Sequence, residues 1–322
     1  MTEHRRVLIA IGGNALVNDP HTPVIEQLRK AGETSLHVAS VVKDGHDVII
    51  THGNGPQVGF SLLRSELARE RVHEVPLQGC VAETQGTIGY HIAQTLDNEL
   101  HAADVKREVA ALMTRVVVDP DDPAFARPSK PIGPFLEQQD AERHAVQDGW
   151  TVQENTGRGY RRVVASPHPL EIRELGVIKS LVDDGVIVVS VGGGGIPVVR
   201  KENGRLRGVP AVIDKDLSSC LLAKELDVDL FVLTTGVDKV CVDFGQANER
   251  ALDRLTVSEA RQHLEDGQFP AGSMRPKIEA AIDFLSAPLP ASGLPREVVI
   301  TSPALIVAGC RGQAGTRITA DE

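Results

Sequence analysis

The sequence predicts an α/β protein, a sandwich of helices around a mainly parallel central sheet. Two observations carry that expectation. Short apolar runs are each cut off by glycines and followed by helical periodicity, and this unit recurs along most of the 322 residues. The runs are also apolar on both faces, as strands buried inside a parallel sheet must be.

Residues 7–11 form the first such run, ended by Gly12-Gly13-Asn14. Leu28, Ala31, Val38 and Val42 then share one helical face, and Gly45 stops that helix. A second strand is expected at 47–51, ended by His52-Gly53-Asn54-Gly55-Pro56. One or two helices broken near Pro76 lead to a strand at 116–118. From 119 to about 169 the rhythm fails. Turn residues at Asp119-Pro120-Asp121-Asp122-Pro123 and prolines at 128, 131 and 134 open a segment too long to be a structureless loop, so a protruding subdomain is expected there. The rhythm resumes with a helix at 172–184, a strand at 186–191 and Gly192-Gly193-Gly194-Gly195. A hairpin follows over 198–209, turning at Asn203-Gly204. A helix from about Asp214, a strand at 230–234, a helix from near Met274 and a last clear strand at 297–301 complete the layout.

Composition excludes several classes. Lys and Arg number 34 against 44 Asp and Glu, a net charge of −10, and aromatics are 3%. Such a chain offers neither a cationic track nor stacking platforms for nucleic acid. No apolar run reaches the ~20 residues that span a bilayer, and the first residues show no cleavage-site pattern, so neither a membrane anchor nor a signal peptide is expected. Cys80, Cys220, Cys241 and Cys310 lack any CxxC pairing, which suits free thiols in a reducing cytoplasm. P-loop, GxGxxG, HExxH and GxSxG motifs are missing. The eleven histidines are scattered and are expected at the surface.

Three glycine clusters, at 12–13, 53–55 and 192–195, each close a strand at the end where open α/β sheets bind ligands. A tight turn would explain any one of them. Three at equivalent ends, two also carrying Asn, point to a divided anion site built from backbone N–H groups. Lys130 sits in a proline frame, Ser129-Lys130-Pro131-Ile132-Gly133-Pro134. Lys215 lies between Asp214 and Asp216 at one helix start, and Lys277 lies at another. Lysines near helix N-termini oppose the macrodipole unless an anion is bound there. Asp214 also has the chemistry of an N-cap, and Asp216 that of a first-turn acid.

These blocks together resemble carbamate kinase of the amino acid kinase family. The match runs through Gly12-Gly13-Asn14-Ala15, His52 to Gly59, Thr84 to Tyr90, Ser129 to Phe135, Gly192 to Val198, Ala211 to Asp216, Leu233 to Asp238 and Gly272 to Ala281, in family order. The resemblance implies a three-layer αβα sandwich with an open, mainly parallel sheet, the amino acid kinase fold. It implies a single domain over 1–322 with the 119–169 subdomain inserted, residues up to about 210 serving carbamate or carbamoyl phosphate and 211–322 serving the nucleotide. It further implies a homodimer, ATP or ADP with Mg²⁺, and reversible phosphoryl transfer between ATP and carbamate, in the setting of arginine catabolism. Gly12, Gly13 and Asn14 would hold the transferring phosphoryl group; Gly53 and Asn54 would take the carbamate end, beside Gly193, Gly194 and Gly195. Lys130 would reach in from the subdomain, Lys215 and Lys277 would neutralise phosphate charge, and Asp216 would orient the lysines. Thr235, Gly236, Val237 and Met274, with Lys277, would form the nucleotide side, and no protein ligand to the metal is evident. Two alternatives remain: a relative phosphorylating a larger carboxylate, and a catalytically silent nucleotide-binding relative.

Overall fold

The computed structural model describes residues 3–13, 22–155, 159–269 and 274–321. Early in the chain come β1 (Arg6–Ile11), α1 (Val24–Lys43) and β2 (Asp47–His52). Two helices follow, α2 (Gly55–Ala68) and α3 (Leu77–Ala102), then β3 (Val109–Ala111) and β4 (Arg115–Val118). Next are β5 (Lys130–Leu136), α4 (Gln138–Gln147), β6 (Val152–Asn155) and β7 (Gly159–Val164). β8 (Pro169–Ile172), α5 (Leu175–Asp183) and β9 (Ile187–Val189) return to the body, where β10 (Ile196–Arg200) and β11 (Leu206–Gly208) form a hairpin. The last third holds α6 (Lys215–Glu225), β12 (Leu230–Thr234), β13 (Cys241–Val242), β14 (Arg250–Ala251) and β15 (Arg254–Thr256). It ends with α7 (Val257–Glu265), α8 (Met274–Leu285), β16 (Glu297–Thr301), α9 (Ile306–Cys310) and β17 (Thr316–Thr319).

The main sheet has eight strands in the order β15-β17-β16-β12-β1-β2-β9-β3. Every neighbouring pair is parallel except β16 with β17. Strand alternation sorts β1 between two cores. Leu8 and Ala10 pack with Phe231, Leu233 and the apolar faces of α6 and α8. Val7, Ile9 and Ile11 pack instead with α1 and α3. Both faces are therefore covered, which is why β1 reads as a continuous apolar run. The strand order reverses at β1, with β2 on one side and β12 on the other, so their C-terminal loops frame a crevice.

The strand expected at 116–118 belongs to a second sheet, β11-β10-β4-β8, rather than to the main one. The helix expected from residue 172 starts only at Leu175, because Pro169–Ile172 pairs with β4 as β8. Between β4 and β8 the chain builds a separate three-stranded sheet, β5-β7-β6, with α4. Pro131 and Pro134 sit in β5, which is an edge strand and so tolerates residues lacking an N–H. This sheet leans on α2 through two glycines: a Cβ on Gly59 would lie 2.1 Å from Gly133 Cα. All four cysteines are free thiols. Among the described residues no helix is long and apolar enough to cross a membrane.

Candidate active site

The crevice is a cleft of about 740 Å³ along the C-terminal edge of the main sheet. The glycine clusters meet there. Gly12 N–H donates to Thr234 Oγ1 at 2.9 Å and Gly53 N–H to the Ile11 carbonyl at 2.8 Å, tying the first two loops to β12 and β1. The loops nearly touch, since a Cβ on Gly53 would lie 2.8 Å from Gly13 N. The third cluster closes on the second: a Cβ on Gly193 would stand 2.2 Å from Asn54 Nδ2, which donates to Thr84 Oγ1 at 2.9 Å. Gln85 pins that turn from below, its Nε2 donating to the Gly192 carbonyl at 2.8 Å.

Three lysines converge on these loops from three elements: Lys130 opens β5, Lys215 opens α6 and Lys277 lies in the first turn of α8. Lys215 Nζ donates to Asp216 Oδ1 at 2.6 Å and Lys277 Nζ to Asp216 Oδ2 at 2.8 Å. Lys130 Nζ donates to Asp214 Oδ2. Burial by itself would raise the pKa of Asp216, but the two ammonium groups overcome it and hold the carboxyl well below its usual range. Burial pulls the Lys215 pKa down, helped by the charge of nearby Lys277 and opposed by Asp216. For Lys277 burial is outweighed by Asp216, and its pKa rises.

Gly12, Gly13, Gly53, Asn54, Lys130, Gly193, Lys215, Asp216, Thr235, Gly236 and Lys277 all line the cleft. Asn14 lies outside the described residues, as do Gly272 and Ser273 of the Lys277 block. Four expected residues fall elsewhere. Gly194 and Gly195 face packing: a Cβ on Gly194, whose φ is +86°, would sit 2.3 Å from the Ile213 carbonyl, and one on Gly195 2.2 Å from Val116 Cγ2. Val237 lies past the bend at Gly236, where the chain turns down to Asp238, whose carbonyl accepts from Thr301 Oγ1 at 3.3 Å. Met274 packs against the hydrophobic core.

Other lining residues went unread in the sequence. Asp214 was visible only as a cap, yet it also holds Lys130. Arg161, on β7, reaches the cleft and donates to the Gly133 carbonyl at 2.8 Å. Lys30, Thr34 and His37 of α1 and Ser302 to Ala304 also line the cleft. Not every histidine is at the surface, either. His46, His52 and His91 are buried. His52 ends β2, its Nδ1–H donates to the Gly53 carbonyl at 3.1 Å, and burial drives its pKa down to about 4.

Glycine loops facing three lysines at the reversal of a parallel sheet define a phosphotransferase cleft. The amino acid kinase family profile matches residues 5–291, and the chain belongs to that family. Within it the likeness is to carbamate kinases. The carbamate kinase of Clostridium perfringens is 43% identical, covering 97% of this chain and 99% of its own. The carbamate kinase-like protein YahI of Escherichia coli is 45% identical over 97% of this chain and 98% of its own. Carbamate kinase from Giardia lamblia bound to citric acid superposes with a TM-score of 0.90 at 39% identity, covering 100% of both chains. The same Giardia enzyme bound to AMP-PNP gives a TM-score of 0.86, also at 39% identity and covering 100% of both chains.

Proposed function

We infer that the protein is a carbamate kinase, transferring a phosphoryl group between ATP and carbamate. The observation that carries the reading is the convergence of Lys130, Lys215 and Lys277 with the glycine loops in one cleft. Phosphoryl transfer needs in-line positioning and charge stabilisation more than covalent chemistry from protein, and this cleft supplies both.

In the ATP-forming direction an oxygen of the ADP β-phosphate attacks the phosphorus of carbamoyl phosphate. The bond from phosphorus to the carbamate oxygen breaks, its electron pair stays on that oxygen, and the released carbamate decomposes to CO₂ and ammonia. The reverse reaction starts from an oxygen that is already anionic, so no general base is required. Asp216 fits that economy: both its oxygens accept from lysines, which suits a residue that orients charges and takes no proton. Residues before 210, Gly53, Asn54 and Gly193 among them, would form the carbamate side. Residues after 211, including Thr235, Gly236 and Lys277, would form the nucleotide side.

Magnesium belongs to this reading as a companion of the nucleotide. Both carboxylates in the Asp-Lys-Asp run are committed to lysines, and among the described residues no cluster of three or more His, Cys, Asp or Glu could hold a metal. Such a cleft suits phosphates, whose oxygens and bound water would carry Mg²⁺ and let it neutralise their charge. A cytoplasmic homodimer serving arginine catabolism completes the proposal, the free thiols suiting a reducing compartment.

A coupled spectrophotometric assay for ATP from ADP and carbamoyl phosphate tests the function, run beside ATP with N-acetylglutamate. ATP formation from carbamoyl phosphate alone is the expected result. Phosphorylation of acetylglutamate would mark another amino acid kinase, and nucleotide binding without either turnover a silent relative; both outcomes defeat the reading.

A further inference from the structure

The carboxylate of Asp214 is divided between two tasks, and the second has a bearing on catalysis. We infer that Asp214 is a positioning residue for the phosphoryl transfer proposed above, on which this inference rests: it holds Lys130 of the protruding subdomain in register with Lys215 and Lys277. Its Oδ1 accepts the Asp216 N–H at 2.9 Å and caps α6, while its Oδ2 accepts from Lys130 Nζ. Lys130 comes from 84 residues earlier and from a different sheet.

Asp216 cannot take over this role, because Lys215 and Lys277 occupy its two oxygens. The Asp-Lys-Asp run thus divides its labour. One carboxylate gathers the two lysines of the body, and the other anchors the lysine of the subdomain to the same helix turn.

The anchor itself is rigid. The Asp214 carbonyl accepts the Ser218 N–H at 3.1 Å, and Ser218 Oγ donates to the Gly194 carbonyl at 2.7 Å. Gly194 has no Cβ where Ile213 passes, so the residue before Asp214 is pressed onto the glycine turn. The side chains of Lys130 and Asp214 are only 20% and 12% exposed, so their attraction is screened less than that of a surface pair. An ammonium has three donors, and a bond to Asp214 leaves two for phosphoryl oxygens. Fixing a long flexible lysine before substrate arrives removes an ordering cost from the transition state.

A cap alone would affect only stability, and Asn caps helices as well as Asp does. Asp214→Asn therefore keeps the cap while removing the charge that holds Lys130. We expect kcat for ATP formation from carbamoyl phosphate and ADP to fall about 10–100-fold, as for a misplaced reacting group. Far-UV circular dichroism should show the fold retained, and the KM for ADP should stay at the wild-type value. In a Lys130→Met background, Asp214→Asn should cause no further loss. Amide hydrogen exchange of β5 in the substrate-free protein should quicken in Asp214→Asn. A wild-type rate in the single variant, losses that multiply in the double variant, or unchanged exchange in β5 would each overturn the inference. A wild-type protein inactive on carbamoyl phosphate defeats the functional reading instead, and the exchange experiment still judges the Asp214–Lys130 anchor.

Discussion

Lys277 Nζ lies 2.8 Å from Asp216 Oδ2, and this contact fastens the first turn of α8 to the first turn of α6, 61 residues earlier. With Lys215 on the other oxygen, one buried carboxylate is shared by two buried ammonium groups. Replacing Asp216 by Ala leaves those charges facing each other, and a broken buried pair costs about 3–5 kcal/mol. Urea titration should show that loss. The pH dependence follows from the lowered carboxyl pKa. Stability from Asp216 is fully present above the ordinary carboxylate value of ~3.9 and is lost as pH falls below it toward the folded-state value. Asp216→Asn should flatten the stability profile in that acid range. Its pH–rate profile should keep its shape while the rate drops, and the disappearance of a titrating limb would mark Asp216 as a base.

His52 makes the opposite kind of group matter. Its folded pKa of about 4 lies below the unfolded value of 6.5, so the unfolded chain binds the extra proton between the two. Stability is therefore present in full above 6.5 and lost as pH falls toward 4. The effect is on the order of 3 kcal/mol. His52→Asn should remove this slope between those limits, as read by unfolding midpoints. A slope as steep as that of the wild type would show that His52 is not its source.

Lys130→Ala tests the subdomain's chemical contribution. Losing one charged donor to the transferring group should cost ~2.7–4 kcal/mol of transition-state stabilisation, a ~10²–10³-fold fall in kcat. Circular dichroism should show a folded protein with a lowered melting midpoint, because Asp214 loses its ion-pair partner. Turnover near the wild-type rate would remove Lys130 from the reaction.

Gly59→Ala tests how the subdomain is seated. The new methyl would meet the Gly133 backbone at 2.1 Å, so β5 must move. Such overpacking costs about 1–3 kcal/mol. The shift should carry Lys130 with it, so kcat should fall far more than the modest drop in unfolding midpoint suggests. A midpoint drop with unchanged kcat would show that the contact only adds stability.

Much of this was legible because burial on both faces leaves a plain signature. β1, β2, β12 and β16 each hold a buried apolar run of three or more residues, and the glycines that end β1 and β2 mark the cleft edge. β5 was not legible as a strand, because prolines that normally exclude pairing are tolerated at an edge. β3 is too short to stand out, and β17 is too polar. In the site, Lys215 and Asp216 were readable from their charged run at a helix start. Asp214's grip on Lys130 was not, because it spans two sheets and only the folded chain brings the pair together. Gly194 and Gly195 share both their cluster and its positive φ with Gly193, yet they face Ile213 and Val116 and not the cleft. Sequence alone does not say which glycine of four faces the ligand.

β4 and β8 lie side by side, with Val118 opposite Pro169, and the whole subdomain hangs from the gap between them. A short hairpin turn across that gap would preserve the ladder on both sides. The lobe is thus a cassette in the evolutionary sense: deletion or exchange at that one junction removes or replaces Lys130 while the glycine loops and lysines of the body are inherited intact.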